Sequence, residues 1–155
     1  MKRFQMLLML IALAFFTACS SSSSDDDGGG GPNPNPNPNP TTPDFTVRDA
    51  AKISSHPYFQ QGHSEGYTID GEQGKELTLT RGTTYTFGVN TPGHPFYIST
   101  STVGNGAGEV TDGVTNSMTT SGTLSFTPNA NHPDLLYYQC DVHDNMGWKI
   151  NIVDP

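Results

Sequence analysis

Residues Leu135–Trp148 read LLYYQCDVHDNMGW, and the order of residue types in that stretch decides how the chain folds around it. It opens as a β-strand. Side chains alternate faces along a strand, so Leu136, Tyr138 and Cys140 point together into an interior, with Tyr137 and Gln139 on the other face. Cys140 therefore ends a buried strand, His143 falls in the turn after it, and Met146 lies at the entrance to a last apolar run, Trp148–Val153. A thiolate, an imidazole and a thioether at this spacing can converge on one soft metal ion, with a fourth ligand brought from elsewhere. His94, in TPGHPFYIS, is expected to be that fourth ligand.

Outward from this stretch the sequence keeps a period of two. Leu77 and Leu79 alternate with Thr78 and Thr80, and Tyr85, Phe87 and Val89 with Thr84, Thr86 and Gly88. Phe96 and Ile98 alternate with Tyr97 and Ser99, Leu124 and Phe126 with Ser125 and Thr127, and Trp148, Ile150 and Ile152 with Lys149 and Asn151. Short alternating runs separated by Gly, Pro, Asn and Thr predict an all-β domain, each strand with one face on a core, in a two-sheet β-sandwich. No helix signal of useful length occurs. Residues 50–66 fit an irregular strand at best, and Val103–Gly113 reads as a long loop whose GNGAG is no phosphate cradle, since no helix follows it.

The N-terminal quarter is of another kind. Met1–Ala18 has a basic start and an apolar run, MLLMLIALAFF, too short for a membrane span, and so reads as an export signal, residues 1–18. FTACS resembles a lipobox, which implies lipidation of Cys19 and a lipid anchor on a membrane. The Ser and Asp run after it resembles surface-export signals of some outer-membrane lipoproteins, or is a solvated spacer. PNPNPNPNP then continues an extended, semi-rigid linker, residues 19–43. The remaining domain, residues 44–155, is large enough for a real core.

Of the 15 acids and 7 bases, Asp25–Asp27 and Lys2–Arg3 precede this domain, which leaves 12 acids against 5 bases within it. Such a surface repels phosphates, so no nucleic acid partner is expected. With Cys19 lipidated, Cys140 has no cysteine partner, and the domain is not a disulfide scaffold.

Taken singly, Cys140 and Met146 would be ordinary core residues and His143 a surface histidine. The combination Cys-x2-His-x2-Met at a strand end, with a histidine between two earlier strands, is hard to produce by packing alone. It resembles the type 1 copper proteins, the cupredoxins, and its loop length resembles the short-loop amicyanin type within the plastocyanin/amicyanin-like group. The resemblance implies a Greek-key sandwich, one copper per chain, His94, Cys140 and His143 as equatorial ligands and Met146 as the long axial one. Zinc is the competing metal, but a thioether suits copper better. No catalytic residues are expected and the protein is read as no enzyme: there is no nucleophile elbow and no His-x-His pair for a multicopper oxidase.

One position departs from the family. The residue after the first histidine usually gives a backbone N–H to the cysteine sulfur. Here it is Pro95, which has none, and leaves the amide of Val142 as the donor. The function implied is one-electron transfer at the outer membrane or cell surface by a monomer, with a redox partner such as a cytochrome docking near His143. Asp141 and Asp144 would steer it, and Pro92–Gly93 and Met146–Gly147 would form a small apolar contact patch. The rivals are copper buffering or delivery, and a surface interaction module with a vestigial site. His56 and His63 are expected to be solvated loop residues, with a weak second site as the alternative, and His132 to be exposed.

Overall fold

The structure, a computed structural model, describes residues 42–155. The export signal, Cys19 and all but the end of the 19–43 linker lie outside the described residues. Ten strands follow in order: β1 (Phe45–Ala51), β2 (Glu65–Ile69), β3 (Glu72–Gln73), β4 (Leu77–Thr80), β5 (Tyr85–Asn90), β6 (Phe96–Ser99), β7 (Val114–Thr115), β8 (Ser121–Phe126), β9 (Leu135–Cys140) and β10 (Trp148–Val153). No helix occurs among the described residues.

The strands form two mixed sheets, β3-β2-β1-β5-β8-β7 and β4-β10-β9-β6, which make an all-β two-sheet sandwich. Pairs β1–β5 and β4–β10 run parallel and the remaining pairs antiparallel. Alternation explains the core. Val47, Tyr67, Ile69, Phe87, Val89, Leu124 and Phe126 of the larger sheet meet Leu79, Phe96, Ile98, Leu136, Tyr138, Ile150 and Ile152 of the smaller. Phe87 packs on Phe96 at 5.6 Å between ring centroids, and Tyr67 lies edge-on to Phe96 at 5.3 Å. Each such side chain, fully buried, stabilises the fold by about 1.5–3 kcal/mol relative to an exposed one.

The smaller sheet differs from the one-faced expectation near the site. Tyr97, Ser99, Tyr137 and Gln139 on its outer face are buried as well. The glycine-rich loop after β6 folds back over them: Tyr97 and Ser99 donate to the Ala107 carbonyl at 2.8 and 2.7 Å, and Gln139 Nε2 donates to the Thr102 carbonyl at 2.8 Å. Residues 50–66 also resolve differently. β1 ends at Ala51, a series of turns follows, and β2 begins at Glu65.

Candidate functional site

β9 and β10 are antiparallel neighbours, with Trp148 opposite Tyr138, so residues 141–147 form the tight connection between them. Its backbone is fixed from several sides. The Cys140 carbonyl accepts from the Asn105 amide at 2.8 Å, and the Asp141 amide donates to the Pro95 carbonyl at 2.9 Å. Asn145, at φ 59°, adopts the left-handed turn conformation its side chain tolerates, and its amide donates to the Val103 carbonyl. Gly147 has no alternative: a Cβ there would lie 1.5 Å from the Tyr138 carbonyl oxygen.

His94 arrives from the other sheet, on the crossover from β5 to β6. Its amide donates to the Thr91 carbonyl at 2.9 Å, while the hydroxyls of Thr91 and Tyr67 both donate to its own carbonyl, at 2.7 and 2.9 Å. Phe96 pairs with Cys140 in the β6–β9 ladder, which sets the two histidine-bearing turns side by side at one end of the sandwich.

The side chains meet there. His94 Nδ1 lies 3.0 Å from His143 Nδ1, and the Cys140 sulfur lies 3.7 Å from the same His143 nitrogen. Cys140 and Met146 are fully buried and His94 is buried, whereas His143 is half-buried. Met146 belongs to the core cluster that also holds Cys140, and its carbonyl accepts from the Tyr67 amide at 2.7 Å. The structure thus brings His94 and Cys140 each to the same His143 nitrogen, while the donor atoms that all fall within 4.8 Å of one another are those of His63, His94 and His143, and it buries Met146 at the end of the same loop. Val142 is exposed, and among the described residues its amide makes no hydrogen bond to the sulfur. Pro95 offers its carbonyl to the loop instead.

Sequence reasoning missed Glu65. Its carboxylate accepts from His94 Nε2 at 2.9 Å, which puts the His94 proton on Nε2 and leaves the Nδ1 lone pair facing the site. It also missed where the β1–β2 turns go. His63 packs tilted against His143 at 4.0 Å between centroids, its centroid lies 5.1 Å from that of His94, and donor nitrogens of these three rings all fall within 4.8 Å of one another. His56, expected to be solvated, is buried; its Nδ1 accepts from the Tyr58 amide at 3.0 Å and its Nε2 faces the Met146 carbonyl at 3.3 Å. Nothing in the sequence pattern separates these histidines from loop residues, because the Met146 carbonyl that His56 faces and the His143 ring beside His63 lie 90 and 80 positions away.

Burial pushes the His143 imidazole below the usual histidine range, and the His63 and His94 rings push the same way. Burial likewise lowers His56 and Lys52, and it raises the Tyr67 hydroxyl, which faces Cys140.

These atoms suit a small cation. A metal bonded at about 2.0–2.1 Å to nitrogen and about 2.3 Å to sulfur holds such neighbours about 3.3–3.6 Å apart. The Cys140–His143 separation is close to this and the His94–His143 pair needs to open only slightly, whereas the Cys140 sulfur and His94 do not belong to one group of donors within 4.8 Å and would have to draw together around a shared ion.

Residues 63–154 match the family described as the At5g54830-like domain, an interval that contains His63, Glu65, His94, Cys140, His143 and Met146. The chain is also similar to a protein of Arabidopsis thaliana named cytochrome b561, DM13 and DOMON domain-containing protein At5g54830, at 32% identity over 100 residues. That alignment covers 56% of this chain and 11% of the relative. No solved structure matches the chain.

Proposed function

The chain belongs to the At5g54830-like domain family, and from that premise we propose that its sandwich is a single-copper electron carrier of cupredoxin type. The observation that carries this reading is that His94 Nδ1 and the buried Cys140 sulfur lie 3.0 and 3.7 Å from the same His143 Nδ1 at one end of an all-β sandwich. Those three side chains would hold copper, with Met146 as the weak axial donor. The metal would supply a Cu(I)/Cu(II) couple that takes up and releases one electron.

The protein's own part is to keep the donors still. Glu65 orients the His94 ring, Tyr67 and Thr91 hold its carbonyl, and the Pro95 carbonyl holds Asp141 next to the thiolate. Donors fixed in this way change little between two oxidation states, which favours fast transfer over ligand exchange. The relative's name includes a cytochrome b561, and a one-electron domain fits a chain that also carries a cytochrome.

The partner's contact surface is the rim around His143. Val103 and Val142 expose apolar surface there, and Asp144 is exposed to steer a basic partner. Pro92 and Gly93 are exposed as expected, but Met146 and Gly147 are buried and take no part in such a patch. Anchoring through Cys19 places the domain at the outer membrane, on its periplasmic or surface side. The test is voltammetry of the copper-loaded full chain together with its reduction by a cytochrome. A reversible one-electron wave and rapid reduction are expected. Sluggish redox with ready copper loss to a chelator would favour buffering or delivery, and failure to take up copper would leave an interaction module.

A further inference from the structure

The turns between β1 and β2 press on the ligand loop more closely than chain connection requires. The His63 amide donates to the Asp144 carbonyl at 3.1 Å, and a Cβ at Gly62 would lie 2.7 Å from that same carbonyl oxygen. Gly62 takes φ 62° and Gln60 also lies in the left-handed region, so the turn is bent to bring the next residue over the site. That next residue is His63, half-buried, with its ring against His143 and a donor nitrogen within 4.8 Å of those of His94 and His143.

The His63 ring is free to take a ligand because little in the protein holds its nitrogens. His63 has one weak commitment: its Nδ1 accepts from the Glu65 amide at 3.2 Å. Coordination through Nδ1 would replace that contact, and coordination through Nε2 would move the ring proton to Nδ1 and also end it. Either way the cost is one long hydrogen bond. On its other side His63 lines an open cavity of about 410 Å³ with Lys52, Phe59, Gln60, Gly62 and Ser64, so no side chain packed there locks the ring in place.

We propose that His63 is a third imidazole ligand, so that Cu(II) in this protein takes His63, His94 and His143 together with the Cys140 thiolate. This rests on the copper reading above and changes its character. Three nitrogens and a sulfur favour a more tetragonal arrangement than two nitrogens and a sulfur, and they stabilise Cu(II) over Cu(I). The β1–β2 turns are then part of the metal centre, which the Cys140–Met146 segment does not complete alone.

The test loads the full chain with one equivalent of Cu(II) and counts coordinated imidazoles by pulsed electron paramagnetic resonance. Three are expected in the wild-type protein and two in His63→Ala. The variant should also show a smaller parallel copper hyperfine splitting, a thiolate-to-copper band at longer wavelength and a higher reduction potential. His63→Gln, which keeps an acceptor for the Glu65 amide, should reproduce the two-imidazole signature if the alanine variant folds poorly. Two imidazoles in the wild-type protein, or unchanged spectra in both variants with the thiolate band intact, would overturn the role of His63 and leave the copper reading standing. Failure to bind copper, or binding with no band that Cys140→Ser removes, would overturn the copper reading and this inference with it.

Discussion

The two ends of the sandwich solve the same problem with different chemistry. At the end opposite the site, loops are tied down by charged side chains whose hydrogen-bonding capacity is largely used within the protein. Arg81 donates from Nη1 to the carbonyls of Asn129 and His132 at 2.7 and 3.0 Å, from Nε to Asp154 at 3.0 Å, and from Nη2 to Asp134. Asp44 and Asp70 accept from the Thr86 and Thr46 amides, both at 2.8 Å, and so fasten the start of β1. At the site end, loops are tied mainly by backbone hydrogen bonds and by the Thr91 and Tyr67 hydroxyls, and apart from the Glu65 carboxylate on His94 the side chains gathered there are imidazoles, a thiol and a thioether. The opposite end uses nearly all of the donors of Arg81, although the buried His132 Nε2 there has no hydrogen-bond partner among the described residues. The site end gathers the ring nitrogens of His63, His94 and His143 within 4.8 Å of one another, with the Cys140 sulfur 3.7 Å from His143.

The sharpest way to break this contrast is to disable one end and measure the other. Arg81→Met should lower the unfolding free energy by about 3 kcal/mol, mostly through the two carbonyls left without a charged donor. Its carboxylate partners are 89% and 84% exposed, so the ion pairs themselves add little. Copper binding should not change, and denaturant unfolding alongside a copper titration checks both. Glu65→Gln should do the reverse. Copper affinity should fall about 10–100-fold through loss of the carboxylate that orients His94, with stability changed by less than about 1 kcal/mol.

Met146→Leu conserves volume in the core and should cost less than about 1.5 kcal/mol of stability. Copper and its colour should survive, and the reduction potential should rise as an axial donor to Cu(II) is lost. Loss of copper in this variant would remove Met146 from the role of weak axial ligand.

The smallest effect belongs to the opposite end. The Thr86 hydroxyl and amide hold the Asp44 carboxyl below its ordinary value of 3.8. At Asp70 burial raises the carboxyl, but the Thr46 and Lys75 hydrogen bonds outweigh it and the net shift is also downward. Both groups bind fewer protons folded than unfolded near their midpoints, so their contribution is complete above about pH 4 and is lost as the pH falls through the depressed values. Urea midpoints measured from pH 5 down to pH 2.5 should decline, and less steeply in Asp44→Asn.

What the sequence disclosed follows the same division. The strand, turn and strand of Leu135–Val153 are legible because two alternating runs flank a short segment, and the buried parity of Leu136, Tyr138 and Cys140 needs nothing from outside the segment. His94 is legible because a histidine directly before an alternating strand must lie at that strand's end. Glu65 and His63 are not legible in this way. Both acquire meaning only when β1–β2 pairing carries their turns across the sandwich to residues 29 and 80 positions away, and no local periodicity encodes that pairing. His132 shows the same limit at the other end. Its expected exposure gives way to burial against Phe126, with its Nδ1 accepting from the Asn129 amide. Tyr97 and Ser99 look solvent-facing by alternation and are covered only because a loop rich in glycine can fold flat over them.

The central claim is that Cys140 binds copper as a thiolate in company with His94 and His143, and a visible spectrum tests it most directly. Cu(II) is titrated into the purified chain and into Cys140→Ser and His94→Ala variants. The account predicts an intense visible band that saturates at one copper per chain, is absent from Cys140→Ser, and is weakened and shifted in His94→Ala. A chain that binds copper with the same spectrum after Cys140→Ser would contradict it.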